Sequence, residues 1–436
     1  MTSQRFDVAV VGAGASGAAC AARLAEGGLR VVCLERRALA EAGARWVNGV
    51  PRAAFAEAGV ALPEPPEHLG GPEPFHLVIA PAPGADARPA LTLARHDVIH
   101  VDMRHLVRRL QARAERAGVT LRERVTVHGW DGEELATSAG AIAASRVVDA
   151  SGLAGARLLQ QPEVARVDLC AAAQQVHDVV DRAAAAAFLA RHGARPGEAI
   201  GFLGVAGGYS VLNVHVDPQL ATCGVLTGSI PALGHPSGKA ILERFVAEHA
   251  WIGARQFGGA AAIPLRRPYD RLADERVALL GDAGCQVFPA HGSGVGAGLI
   301  AARVLADTIL AGAPLRDYEV AWQRTHGALL ASFDVLRRFT QQLDGPQVRA
   351  LFGSGLAEPE LVRAGLDQVR PRLALGSLGP VLARLPGAIL RHPRLARGLL
   401  GASARSQLLY ALYARYPRDL RRLPAWSRAV DRLLAA

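Results

Sequence analysis

Several residue types are scarce in this chain of 436 residues, and each scarcity excludes a class of protein. The five cysteines are scattered and form no CxxC pair, so the sequence predicts neither a disulfide framework nor a zinc site. No uninterrupted apolar run approaches the roughly 18 residues that a transmembrane helix requires. Lysine occurs once, at Lys239, although lysine and arginine together number 49. Glycine, by contrast, occurs 47 times, and its placement carries most of the functional information.

The first residues, Met1 to Arg5, run directly into an apolar strand pattern without the features of a signal peptide. Unpaired cysteines are typical of a reducing compartment. We therefore expect a cytoplasmic protein.

The net charge of +10 is concentrated at the end of the chain, because residues 360–436 hold 14 arginines and four acids. Two interpretations fit this segment. Its helices can form a basic cap that packs on the rest of the molecule and leaves the arginines in water. Alternatively, basic amphipathic helices can make a peripheral contact with an anionic membrane. Nucleic-acid binding is not predicted, because the basic character is confined to this segment and no known nucleic-acid module is present.

A glycine-rich turn follows the first predicted strand, at 7–11. Gly12, Gly14 and Gly17 form GxGxxG before a predicted helix, and Glu35 lies 18 residues beyond the last glycine. In such a turn the glycines permit the tight bend, the approach of a pyrophosphate and close helix packing, while the acid accepts hydrogen bonds from a ribose. The pattern predicts an ADP-containing cofactor; the alternative is a glycine-bearing turn that binds nothing.

A second glycine-rich segment lies far downstream, at 277–298. A buried strand pattern ends at Gly281-Asp282, and a loop with Gly292 and Gly294 then opens a helix of small residues. An acid at a strand end can bind sugar hydroxyls, and the N–H groups of a helix N-terminus can face an electron-rich ligand edge. Gly281 comes 264 positions after Gly17, too far for the same βαβ unit, and this favours FAD over NAD.

The order of motifs GAGASG, VDMRHLVRRL, VVDASG and LLGDAGCQVFPAHGSGVGAG resembles FAD-dependent oxidoreductases of the para-hydroxybenzoate hydroxylase fold. Within that fold, roughly residues 1–340 are most similar to the geranylgeranyl reductase family. The resemblance implies an α/β fold with an FAD-binding Rossmann-like domain of the glutathione-reductase type, an inserted β-sheet substrate domain and a C-terminal helical region. It also implies FAD as the cofactor. Electrons would come from NAD(P)H or another donor that binds transiently, because no second nucleotide-binding βαβ unit is present.

Domain boundaries follow from the positions of these motifs. We expect a discontinuous FAD-binding domain at 1–60, 96–162 and 270–340. The substrate domain should comprise 61–95 and 163–269, and the basic helical cap should comprise 341–436.

The resemblance also implies roles for individual residues in binding FAD. Glu35 would bind the adenosine ribose, Asp282 the ribityl hydroxyls, and Arg104 would lie near the pyrophosphate or ribityl chain. The loop after Pro289 would run along the pyrimidine side of the flavin. The expected cofactor-binding set is Gly12, Gly14, Gly17, Glu35, Arg36, Arg45, Arg104, Gly281, Asp282, Pro289, Gly292, Gly294 and Val295.

One departure from the family concerns the substrate. Geranylgeranyl reductases carry a YxWxFP strand over the substrate, and the matching place here begins at Tyr209. Val211 replaces the tryptophan, Asn213 the phenylalanine and Val214 the proline. The cofactor site is therefore expected to carry over, whereas a prenyl-chain substrate is not.

Two residues are candidates for the chemistry beside the flavin, His291 and Tyr209. His291 can donate a proton or bind an anionic group, or it can simply hydrogen-bond its own loop. Cys285 is expected to be a small buried residue, and Trp46 is a candidate for the wall of the substrate site.

Several functions remain open for this protein, and we expect its substrate to be a hydrophobic small molecule. The favoured one is reduction of carbon–carbon double bonds, as in geranylgeranyl reductases, and the alternative is hydroxylation of a secondary metabolite by a flavin monooxygenase. Flavin-dependent halogenation needs a lysine near the active centre and a tryptophan-rich motif, neither of which is predicted here. A flavin- or lipid-binding protein without catalysis is the remaining alternative.

Overall fold

The first strand, β1 (Phe6–Val11), is the centre of a parallel sheet, because its valines and alanine are buried on both faces. The computed structural model describes residues 5–79, 89–354, 356–357, 359–371, 386–387 and 389–435. Strands β8, β2, β1, β11 and β17 lie parallel in that order, and β10 and β9 continue from β11 as an antiparallel extension. The other strands of this sheet are β2 (Val31–Leu34), β8 (Thr120–Arg122), β9 (Val127–Trp130), β10 (Glu134–Thr137), β11 (Gly140–Asp149) and β17 (Val277–Leu279).

Helices of small residues cover this first sheet. In α1 (Ala15–Glu26) the side chains of Ala18, Ala21 and Ala22 are fully buried, so α1 can pack closely against both α3 and α6. In α3 the apolar residues Met103, Leu106, Val107 and Leu110 are buried as well. The helices of this domain are α2 (Arg52–Ala58), α3 (Met103–Arg116) and α6 (Val295–Leu310).

A second sheet of seven strands forms the substrate module, in the order β16-β12-β15-β14-β13-β5-β6. Its pairs are antiparallel except for the parallel pair β13–β5. Strands β5 and β6 come from the proline- and glycine-rich segment at 61–95, which the sequence analysis placed in this module. The strands are β5 (Phe75–Ile79), β6 (Leu91–Leu93), β12 (Leu169–Val179), β13 (Ala199–Leu203), β14 (Ser210–Val216), β15 (Thr222–Ser229) and β16 (Ile252–Pro264).

The two faces of the second sheet have different surroundings. Leu212, Val214 and Val216 of β14 share a buried core with α4 (Arg182–Arg191) and α5 (Gly238–Glu248). Since side chains alternate along a strand, the intervening residues of β14 face away from those helices, toward the FAD-binding domain.

A small third sheet, β3-β7-β4, lies on that second side. The ring of His100 in β7 is 4.3 Å from the ring of His215 in β14, so the two sheets are in contact here. Burial lowers the pKa of both histidines, which favours their neutral forms. The strands are β3 (Val47–Pro51), β4 (His68–Gly70) and β7 (Val98–Asp102).

The C-terminal helices form their own core against α8. Tyr413, Tyr416 and Trp426 are buried there, and Arg267 at the end of the substrate module donates a hydrogen bond to the Tyr413 hydroxyl at 3.1 Å. None of the described helices is long and apolar enough to cross a membrane. The helices are α7 (Leu315–Trp322), α8 (Ala328–Thr340), α9 (Gly345–Gly353), α10 (Pro359–Leu366), α11 (Pro393–Ala414) and α12 (Leu423–Ala435).

The predicted fold class is confirmed by this arrangement of a parallel α/β domain, an inserted sheet and C-terminal helices. The domain boundaries at 1–60, 96–162, 270–340, 61–95, 163–269 and 341–436 remain a proposal.

Candidate functional site

The turn after β1 can be made only with glycine at two of its positions. Gly12 has φ of +104°, and a Cβ there would overlap the carbonyl oxygen of Ala150. A Cβ on Gly17 would overlap the carbonyl oxygen of Gly12. Glycine at these positions is thus required by the protein's own packing, as the sequence pattern predicted.

Gly14 differs, because a Cβ there would meet nothing closer than Gly43 Cα, at 3.4 Å. Gly14 is the N-cap of α1, and no side chain caps this helix end. The first N–H groups of α1 are therefore left for another acceptor. An open glycine and an uncapped helix N-terminus are the features that fit a pyrophosphate.

Glu35 lies at the end of β2, directly beside this turn. It is buried, and its carboxylate accepts hydrogen bonds from the N–H of Ala13 at 3.0 Å and of Arg37 at 3.1 Å. These two bonds hold the carboxylate in place and leave acceptor capacity on both oxygens for ribose hydroxyls.

The two glycine-rich segments meet in space. A Cβ on Gly298 of α6 would overlap the hydroxyl oxygen of Ser16 in α1, and one on Gly281 would lie 3.2 Å from the same oxygen. Segments more than 260 positions apart in the chain therefore line one site. The sequence analysis missed Ser16, whose only signal is its place inside the GxGxxG turn.

Asp282 accepts no hydrogen bond with its side chain from any part of the chain that the structure describes. It keeps some exposure to solvent, yet the surrounding protein raises the pKa of the carboxyl to about 6 by desolvation. A carboxyl that is surrounded by protein atoms and still reaches solvent lines a recess, and Asp282 has this position. A Cβ on Gly294, at the uncapped start of α6, would lie 3.1 Å from Asp282 Oδ1, so the acid and this helix N-terminus face the same space.

The loop that contains Pro289 and His291 precedes α6. The N–H of Ser293 donates to His291 Nδ1 at 3.3 Å, so Nε2 carries the hydrogen and donates to the carbonyl of Gly365 at 3.1 Å. Desolvation by the surrounding protein lowers the pKa of His291, although the residue as a whole is exposed. His291 is therefore neutral near pH 7, and backbone groups use both of its ring nitrogens.

Tyr209 connects the substrate sheet to this loop. Its side chain is buried beside Cys170 and Leu265, and its hydroxyl donates to the carbonyl of Ala290 at 3.5 Å. A Cβ on Gly292 would lie 3.4 Å from Leu265 and from Ile263 at the end of β16, so the loop lies close to this edge of the sheet. The structure thus brings the two predicted catalytic residues, Tyr209 and His291, to one loop.

The three arginines of the predicted cofactor set occupy different positions. Arg104 pairs with Asp102 at 2.6 Å and stacks on the ring of Phe257 at 3.4 Å. Arg45 is exposed and donates to the carbonyl of Ala40, and Arg36 is also exposed. The geometry does not test their contact with FAD, which remains a prediction for all three.

Trp46 lies between the FAD-binding domain and β16. Its ring would be 3.7 Å from a Cβ on Gly259, and its indole N–H is buried without a partner among the described residues. The side chain of Gln174 in β12 accepts from the N–H of Val47 and donates to its carbonyl at 2.7 Å, which fixes this segment against the sheet. The sequence analysis did not find Gln174.

Cys285 takes the structural role that was expected. Its thiol is fully buried, and burial raises its pKa to about 11, so it is protonated and unreactive near neutral pH.

The residues present therefore fit FAD. The fit rests on an open glycine at an uncapped helix N-terminus, a fixed ribose-binding acid and an unpaired carboxylate at a second helix N-terminus.

Comparisons with known proteins agree with this geometry. Residues 7–66 match the family model described as FAD-dependent oxidoreductase. A digeranylgeranylglycerophospholipid reductase from Sulfolobus acidocaldarius is 29% identical over 185 residues. That match covers 40% of this chain and 40% of the relative, so the chain matches well under half of that protein.

Solved structures share the fold. A geranylgeranyl bacteriochlorophyll reductase-like protein from Thermoplasma acidophilum has a TM-score of 0.67 at 16% identity, and the match covers 90% of this chain and 99% of that chain. A halogenase in complex with FAD has a TM-score of 0.61 at 15% identity, with coverage of 99% and 96%. Together with the family model, these matches confirm the predicted resemblance to FAD-dependent oxidoreductases, and with it FAD as the cofactor.

Proposed function

We propose that this chain, an FAD-dependent oxidoreductase by its family match, reduces carbon–carbon double bonds in a hydrophobic small molecule. The observation that carries the proposal is the contact between the substrate sheet and the loop before α6, where Tyr209 reaches the carbonyl of Ala290. A substrate on this sheet face would lie beside the flavin. The match to an archaeal lipid reductase supports reduction as the reaction.

Part of the surface offered to the substrate is built from small apolar residues. Ala261, Ala172, Gly228 and Val211 align across four neighbouring strands. They lie on the face of the sheet away from α4 and α5. Small apolar residues of this kind can bind hydrocarbon by burying apolar area.

Reduction of a double bond adds a hydride and a proton. Bound FAD, once reduced, would supply the hydride, and a protein group would donate the proton. Burial raises the pKa of Tyr209, so its hydroxyl stays protonated through the neutral range. Because this hydroxyl lies at the loop beside the proposed flavin position, we propose that it donates the proton, although a raised pKa makes it a weak acid. Proton donation or anion binding by His291 remains a second prediction; its N–H, like the Tyr209 hydroxyl, donates to a backbone carbonyl.

Product analysis under two atmospheres tests the reaction. The reduced holoprotein should convert at least one member of a panel of unsaturated hydrophobic probes, aryl enones as well as geranylgeraniol, anaerobically to a product heavier by two hydrogens. A product that forms only in oxygen and carries label from ¹⁸O₂ would replace reduction by hydroxylation. Absence of both products would contradict the proposal.

Hydroxylation of a secondary metabolite is the second candidate, favoured by Val211 and Asn213 where the resemblance implies tryptophan and phenylalanine. Such a surface suits a substrate other than a plain prenyl chain. Halogenation has less support, because Lys239 is exposed and its ammonium lies 3.6 Å from the carboxylate of Glu243, on α5.

A contact of 360–436 with an anionic membrane forms a further part of the proposal. Arg394, Arg397 and Arg428 are exposed and have no ion pair within the described part of the chain, and Leu400 and Leu408 are exposed on α11. Guanidinium groups beside exposed leucines can bind anionic headgroups.

The electron donor is proposed to be NAD(P)H or another reductant that docks transiently.

A further inference from the structure

Asn213 has an unusual position on the substrate sheet. It lies in β14 between Val211 and His215, and all three face away from the helices α4 and α5. This is the face that carries Tyr209 and meets the FAD-binding domain at His100. Asn213 therefore belongs to the surface on which a substrate would lie.

The side-chain amide of Asn213 accepts and donates no hydrogen bond within the ranges that the structure describes, although the residue is half-buried. An amide without a partner loses free energy when it leaves water. Asn213, between Val211 and His215 on this face, thus lacks a role in holding the fold together, and its amide is free to bind a ligand.

The neighbours of Asn213 leave room for the amide and offer it no charge. Leu226 lies on one side and Gly201 on the other in the register of the sheet. A Cβ on Gly201 would come within 2.9 Å of Asn213 Oδ1 and would overlap the ring of Phe75. Glycine at position 201 therefore makes room for both the Phe75 ring and the Asn213 amide.

We propose that Asn213 determines specificity by hydrogen-bonding an uncharged polar group of the substrate, such as a hydroxyl or carbonyl. The inference rests on the proposed function only in that the substrate occupies this face. Tyr209 and Asn213 are four residues apart in an extended chain, which separates them by about 13 Å. The polar group would accordingly lie far from the reacting bond, on a molecule that is otherwise apolar.

Matched probes test this inference without knowledge of the natural substrate. Biphenyl and 4-hydroxybiphenyl differ by one hydroxyl, and their binding to the FAD-loaded protein can be measured by equilibrium dialysis. We expect the parent protein to prefer the hydroxylated probe about tenfold, as one neutral hydrogen bond allows. Asn213→Leu should remove this preference and bind biphenyl at least as well as the parent does.

Gln219→Leu makes the same chemical change at an exposed turn outside the sheet face and should keep the preference. Equal FAD content and circular dichroism in all variants show that they are folded. A preference absent from the parent, or one that survives in Asn213→Leu, would overturn the inference. Because binding is measured rather than turnover, a failure of double-bond reduction would leave this result unchanged.

Discussion

Asp282 shows how a single unpaired carboxylate can report a cofactor. Desolvation by the surrounding protein raises its pKa to about 6, and no described protein group compensates for it. A ribityl hydroxyl donating to it would supply the missing partner. The sequence predicted this residue from its place at a strand end, but its lack of any protein partner could be known only from the structure.

We expect Asp282→Ala to weaken FAD binding about 10- to 100-fold, because a hydrogen bond to a charged group contributes about 1.5–3 kcal/mol. Titration of the apoprotein with FAD measures the loss. Glu275→Ala, which removes an exposed acid seven residues before Asp282, should bind FAD as the parent does.

The pH dependence of binding follows from the same carboxyl. With a pKa of about 6, Asp282 is mostly ionised at pH 7 and mostly protonated at pH 5. FAD affinity should therefore fall as the pH drops through 6, while Asp282→Asn should show a flatter profile. Parallel profiles for the two proteins would remove Asp282 from the site.

His291 allows a separation between proton transfer and positioning. We expect His291→Ala to keep FAD and lose about 10²-fold in turnover, because the loop beside the flavin loses two hydrogen bonds that hold it. His291→Asn should recover part of the loss. An equal loss in both variants would instead identify the ring as the proton donor, and an unchanged rate across pH 6–9 in His291→Ala would leave it no functional role.

At the scale of elements, the site depends on how closely α1 and α6 approach each other. Gly298→Ala should destabilise the protein and weaken FAD binding, because its Cβ would overlap the Ser16 hydroxyl. Ser16→Ala removes that oxygen, so the double variant Ser16→Ala/Gly298→Ala should regain much of the loss. Thermal unfolding of the four proteins completes the cycle; strictly additive effects would mean that these residues do not touch.

The sequence was most informative where spacing alone determines structure. The GxGxxG turn, the acid 18 residues later and the apolar face of α3 could all be predicted, because they depend on neighbours within one βαβ unit. The partners of Arg104 and His291 could not. Phe257, the partner of Arg104, is 153 positions away along the chain, and Gly365, the partner of His291, is 74 positions away. These pairs meet only because distant elements pack together.

At the scale of the whole molecule, the C-terminal helices are an integral part of the fold. Arg337 on α8 is fully buried and binds Asp168 at 2.8 Å and Asp334 at 2.5 Å, joining α8 to the start of the substrate sheet. Tyr416 donates to Glu319 on α7 at 2.7 Å. The Tyr416 bond, together with the bond from Arg267 to Tyr413, supports the interpretation of 341–436 as a packed cap, whose outer arginines remain available to other surfaces.

That availability can be measured with vesicles. We expect the full-length protein to co-sediment with anionic phospholipid vesicles and to detach as salt rises, since each arginine near the surface contributes about 1 kcal/mol. The triple variant Arg394→Gln/Arg397→Gln/Arg428→Gln should bind more weakly while keeping FAD. If both proteins sediment equally with the vesicles, or if neither does, these helices serve only to pack against the rest of the protein.

The central claim is that two distant glycine-rich segments hold one FAD molecule beside the open face of the substrate sheet. A crystal structure of the protein with FAD bound tests this most directly. The adenosine ribose should lie within hydrogen-bond distance of Glu35, the ribityl chain should lie beside Asp282, and the flavin should lie against the loop from Pro289 to Gly294. A flavin that lies away from that loop, or a ribityl chain without contact to Asp282, would contradict the account.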